Sequence, residues 1–172
     1  MDLALSRAVV LGLSPDARHV LHWAAAGAAA TTAGLASLFG DAVAVDAARG
    51  VGALDEHVDE FDLAVADLTG RARVRRVDLE RFARALVRAL RPDGMALVRL
   101  PASGPAGRLA HRLQATGSMD VRMLRDAVTA EGAEVIWAGE DIEGALWLYV
   151  VAARRRLSLV RGRPLDSPEA PD

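Results

Sequence analysis

The chain has 172 residues, of which 52% are hydrophobic, with a formal net charge of −2 and a pI near 6.1; that bounds it to one sizeable core and argues against a nucleic-acid or membrane partner. It has no cysteine, which excludes disulfides, thiolate catalysis and cysteine-ligated metals, and its four histidines lack ligand spacing, so no metal is expected. No apolar run reaches transmembrane length, and MDLALSR lacks a signal peptide's basic start and apolar core, which makes the cytoplasm the expected location.

Asp2 to Leu13 carries the spacing of a short helix, although RAVVLGL is also apolar enough for a strand, and Ser14-Pro15-Asp16 breaks it. His19 to Trp23 (HVLHW) reads as the first core strand. The run AAAGAAATTAGLASLFG merges from a small-residue turn into a helix ending at Phe39, with Gly40 as its cap. Alanine and glycine let such a helix lie close to a sheet. AVAVD, Ala42 to Asp46, is a second strand that ends in a carboxylate. This order is the layout of a nucleotide-binding βαβ half, with poor glycine spacing. Residues 47 to 60 leave room for a short helix at most.

Phe61 to Pro101 is the clearest unit. Leu63 to Leu68 is apolar at both parities except for Asp67, as in a strand covered on both faces. The next helix places Leu79, Phe82, Leu86 and Leu90 on one stripe, with Asp78 at its N-cap. Pro92-Asp93-Gly94 stops it, and MALVRL follows as another buried strand. Two buried strands joined by a helix make a right-handed βαβ unit. Arg81, Arg84 and Arg88 form a basic stripe, read as a solvated face, and Glu80 lies four residues before Arg84 and can pair with it.

Pro101 to Ser118 is rich in glycine, alanine and proline and reads as a surface loop, with His111 and Arg112 its reactive-looking residues. Ser118 caps a helix with Val121, Leu124 and Val128 inward, ended by Gly132. GAEVIWAG and GALWLYVVA are final strands joined by a hairpin, so the last runs antiparallel. The expectation is a single domain over residues 1–153 and a disordered tail from Arg154 onward.

In this order, HVLHW, AVAVD, FDLAVADL, RALRPDGMALVRLP, EVIWAGED and LWLYVVAARR resemble a class I S-adenosylmethionine-dependent methyltransferase. RALRPDGMALVRLP is similar to that family's helix end, Pro-Gly-Gly turn and fifth strand, and the likeness covers roughly residues 3 to 154. It implies an α/β, Rossmann-like, mainly parallel sheet of seven strands with the last antiparallel, and S-adenosylmethionine bound above the first two strands. Carried over residue by residue, Ala24, Ala26 and Gly27 fall in the donor-binding turn, Asp46 matches the acid that holds the ribose hydroxyls, and Asp67 falls where the substrate side begins.

The chain departs from the pattern in three ways. His22 stands at the place of an acid. Ala24, Ala26 and Ala28 replace glycines, and a methyl group where the backbone must approach closely costs on the order of 1 kcal/mol. The interval from Asp46 to Phe61 is too short for the family's third strand. The expected protein is thus a degenerate member that binds the donor weakly or not at all, with no catalytic residue, working as a partner or scaffold subunit. The alternative is an active small methyltransferase; a dinucleotide-binding oxidoreductase would want G-x-G-x-x-G after strand one, which is absent. Without the third strand, Ala42 to Asp46 becomes a sheet edge that a second chain would cover in a homo- or hetero-oligomer, unless RAVVLGL folds back over it.

Overall fold

Burial on both faces organises the molecule. In β1 (His19–Ala24), β3 (Phe61–Asp67) and the second half of β4 (Leu90–Leu100), nearly every residue is buried, which requires layers on both sides of the sheet. The computed structural model describes residues 14–25, 28–68, 76–100, 121–140 and 146–151. β2 (Asp41–Asp46), β1, β3 and β4 run parallel. β6 (Leu146–Val151) lies antiparallel between β4 and β5 (Glu134–Glu140). The strand order is β2-β1-β3-β4-β6-β5. All six predicted strands are present, the Phe61 and Met95 segments are adjacent and parallel, and the last strand is antiparallel.

The sheet stops at β2. Among the described residues no strand lies outside it, in keeping with the short interval between Asp46 and Phe61. That interval holds two 3-10 turns, Ala47–Arg49 and Val51–Leu54. Val51, Ala53 and Leu54 sink into the larger of two cores, which lies under α2 (Leu79–Ala89) and α3 (Val121–Ala130). There Trp23 meets Phe82 edge to face, 5.6 Å between ring centres, a favoured aromatic geometry. The smaller core, on the opposite face, gathers Val20, Leu63, Val65 and Leu97 with Phe39 of α1 (Ala29–Phe39).

Four local expectations need correction. Leu90 is not the end of the α2 stripe. Leu79, Phe82 and Leu86 are buried on the helix as expected, but Leu90 begins β4 opposite Phe61. Asp78 occupies the N-cap position without making a side-chain capping bond, since a 3-10 turn, Arg76–Asp78, leads into the helix. Arg84 pairs with Glu131, Nε to Oε1 at 3.1 Å, and not with Glu80, because α3 packs beside α2 and brings its own end alongside. Arg81 likewise reaches Asp55. Arg81 and Arg84 of the basic stripe thus have acidic partners within the chain while their side chains stay exposed.

The fourth concerns α1. Only Phe39 of it is buried, and Ala29 and Ala33 are exposed, so this apolar helix is covered on one flank only. Its cap is as predicted: Gly40 has φ +96° and donates to Ala36 O at 2.8 Å. α3 turns Leu124 and Val128 inward and closes at Gly132, φ +81°. The side chain of Val121, Ser118, the segment 101–118 with His111 and Arg112, residues 1–13 and the tail lie outside the described residues.

The Pro92-Asp93-Gly94 stop is a bulge at the head of β4. Phe61 pairs with Leu90 and Leu63 with Met95, so 91–94 stand out against Asp62 alone. Asp93 takes the left-handed conformation, φ 64°. Gly94 is needed for closeness: a Cβ there would sit 2.8 Å from Arg91 O and 3.0 Å from Phe61 O. Asp62 ties the loop down, accepting from Arg91 Nη1 at 2.9 Å and from the N–H groups of Arg18 and His19 at 2.9 and 3.0 Å. Burial pushes the Asp62 carboxyl up, and these three donors outweigh it and hold it below the ordinary carboxylate range.

Candidate functional site

The carboxyl ends of the parallel strands are where α/β sheets hold ligands. Side chains alternate along a strand, so residues two apart share a face. Asp46 stands in register with Ala24, and Asp67 with Arg99. The β1–β3 ladder, with Trp23 opposite Ala66, carries Asp67 next to Ala24. One row therefore crosses the sheet as Asp46, Ala24, Asp67, Arg99, all on the α1 face. His22 lies on that face two residues below Ala24.

His22 is buried and its Nδ1 lies 2.8 Å from Thr32 Oγ1 on α1. The Thr32 hydroxyl donates to Ala28 O at 3.3 Å, so it accepts from His22, which fixes the tautomer with the proton on Nδ1. Burial pushes the imidazole pKa down, and the nearby Asp67 carboxylate raises it by less. A neutral imidazole clamped to a helix thus occupies the place where the resemblance expects an acid. Asp67, the last residue of β3, takes Arg99 Nη1 at 3.3 Å, and Arg99 is itself buried. Charge at the centre of the row is compensated locally.

Asp46 is exposed at the end of β2 and accepts the Ala48 N–H at 2.8 Å. It serves as the cap of the first 3-10 turn. Beside it a cleft of about 470 Å³ runs between α1 and β2. Its walls are mostly alanine, including Ala24, Ala29, Ala33 and Ala44, with Thr32 and Asp46 as polar members. Of the predicted site residues, Ala24 and Asp46 come together on this cleft. Asp67 stands beyond Ala24, against Arg99 and away from it. Ala26 and Gly27 lie outside the described residues. Among the described residues no group of three or more His, Asp or Glu could hold a metal, and no helix is long and apolar enough to cross a membrane.

Sequence reasoning missed Thr32 and Arg99. Arg99 had a signal, as the one charge inside MALVRLP. Thr32 had a fainter one, a hydroxyl within an alanine-rich helix.

No family model matches the sequence, and no curated protein does either. Solved structures do. The chain superposes on Burkholderia thailandensis 1,6-didemethyltoxoflavin-N1-methyltransferase with a TM-score of 0.61 at 14% identity, covering 87% of this chain and 77% of that one. It matches the N-methyltransferase NodS of Bradyrhizobium japonicum at 0.59 and 14% identity, over 86% of each chain. A Methanosarcina mazei S-adenosylmethionine-dependent methyltransferase gives 0.58 at 12%, covering 83% of this chain and 96% of that one. This chain has the class I methyltransferase fold. The Burkholderia and Bradyrhizobium structures each hold S-adenosylhomocysteine. Among the described residues no strand of the sheet stands outside β2.

Proposed function

We propose that this protein is a methyltransferase-fold subunit with a degenerate S-adenosylmethionine site, acting as a non-catalytic partner or scaffold. One observation carries the reading: among the described residues the sheet ends at β2, so none of them walls the outer side of the place where a donor's ribose and adenine would lie. The residues present fit the donor poorly. His22 offers Thr32 an N–H where a carboxylate acceptor is expected, and Asp46 already caps Ala48. Association is proposed to run through the Ala42–Asp46 edge, in a homo- or hetero-oligomer. An unpaired edge without proline or internal charge invites a partner strand.

A second reading, an active small methyltransferase, is favoured by the exposed Asp46 beside a cleft of ligand-like volume. Isothermal titration with S-adenosylmethionine and S-adenosylhomocysteine separates the two. No saturable binding at micromolar protein is expected for either compound. Micromolar binding abolished by Asp46→Ala would overturn the scaffold reading and install the enzyme.

A further inference from the structure

The outer edge of β2 is bracketed by charge. Asp41 and Asp46 are both exposed, and between them lie Ala42, Val43, Ala44 and Val45. Because the two acids are five positions apart, they project to opposite faces of the sheet. Asp46, Ala44 and Ala42 face the alanine-lined cleft beside α1, while Val43 and Val45 pack on the larger core and Asp41, on that side and exposed, lies 3.4 Å from His19 Nδ1.

One segment of the chain carries the mirror of this pattern. Arg156-Leu-Ser-Leu-Val-Arg161 has four residues, three of them apolar, between two arginines, again five apart and so again on opposite faces. Set parallel to β2, it brings Arg156 beside Asp41 and Arg161 beside Asp46 together. The same register places Leu157 and Leu159 on the cleft face, next to Ala42 and Ala44. Large side chains then fill the space that small ones leave, as interior packing favours.

Reach decides whose segment it is. Val151 is in register with Met95, Met95 with Leu63, Leu63 with Val20, and Val20 with Ala42. That is four strand spacings, and a fifth leads to the outer side of β2, about 24 Å in all. From Val151 to Arg156 are five residues, which span at most about 18 Å fully extended. A chain's own segment falls short of its own edge in this register. An antiparallel placement is worse, since Arg156 must also climb the length of β2.

We infer that residues Arg156–Arg161 of one copy add as a parallel outer strand to the β2 edge of a second copy, giving a reciprocally exchanged dimer. Backbone pairing and leucine burial supply most of the affinity, and the two Arg–Asp pairs fix register and direction. Exposed ion pairs alone would contribute little. The inference deepens the scaffold reading by naming the partner; it does not depend on whether the donor binds.

Sedimentation equilibrium on the full chain tests it. The native protein is expected to have the mass of two chains. Arg156→Asp with Arg161→Asp, and separately Asp41→Arg with Asp46→Arg, should each weaken the dimer by at least about tenfold, since like charges then face each other. The four changes together should restore it to within about threefold. Leu157→Asp with Leu159→Asp should give monomer without touching either charge. As the natural chain has no cysteine, Asp41→Cys with Arg156→Cys reports the register directly by forming a disulfide between chains. A native monomer at all concentrations, a dimer indifferent to the tail changes, or cross-linking of Asp46→Cys with Arg156→Cys in its place would each overturn the inference. None of these outcomes bears on the donor titration, so a failure here leaves the non-catalytic reading to its own test.

Discussion

At His22 burial outweighs the attraction of Asp67, and the folded imidazole titrates below its ordinary value of 6.5. The unfolded chain therefore takes up a proton that the folded chain refuses, and folding loses stability as that proton binds. The contribution is fully present above about pH 6.5 and is lost as pH falls through the lower folded value. Protonation would also leave a charged ring in the buried space between β1 and α1, with the Nδ1 bond to Thr32 unchanged. Urea unfolding between pH 5 and 8, compared with His22→Gln, isolates this residue from other titrating groups. The native protein should lose more stability than the variant on acidification. Parallel profiles would mean that burial does not govern His22.

At the scale of elements, Gly40 and Gly94 end α1 and open β4 for different reasons. Gly40 has positive φ and open space around its missing Cβ, so Gly40→Ala should cost about 1 kcal/mol from backbone strain alone. Gly94 has two carbonyl oxygens at 3.0 Å or less from that position, and neither can move without disturbing the first pairing of β3 with β4. Gly94→Ala should cost about 1–3 kcal/mol. Equal and small losses in chemical denaturation would sink the distinction. The elements themselves were legible because apolar runs at both parities and a three-to-four spacing are local signals, and the lack of a strand between β2 and β3 in the chain was legible as a count of residues between Asp46 and Phe61. The bulge, the Glu131 partner of Arg84 and the His22–Thr32 bond were not. Each joins residues at least ten apart whose meeting is set by packing, and no periodicity encodes it. The exposed flank of α1 is the same kind of case, since its alanines suit burial and only the neighbouring layer decides whether they get it.

At the scale of the whole molecule, the proposed loss of donor binding has two candidate causes: the residues of the first turn, and a sheet whose outermost described strand on that side is β2. A triple variant, His22→Asp with Ala24→Gly and Ala26→Gly, repairs the first and leaves the second. It also has a cost visible in the fold. Position 22 is 4% exposed, and a carboxylate there would be buried near Asp67, which the Arg99 pair already occupies. Thr32 could donate to it only by giving up Ala28. A buried acid beside another acid is destabilising unless a cation or several donors meet it. The triple variant is therefore expected to unfold at lower urea than its parent and to show no saturable heat with S-adenosylhomocysteine. Ala24→Gly with Ala26→Gly alone should lose less stability and bind no better. If the full triple gained micromolar binding, the turn would be the decisive defect and the short sheet a tolerable one, and β2 would be an edge for reasons unrelated to the donor. If it gains none while remaining folded, the wall outside β2 is what donor binding lacks, and the same bare edge is left for a strand from another chain.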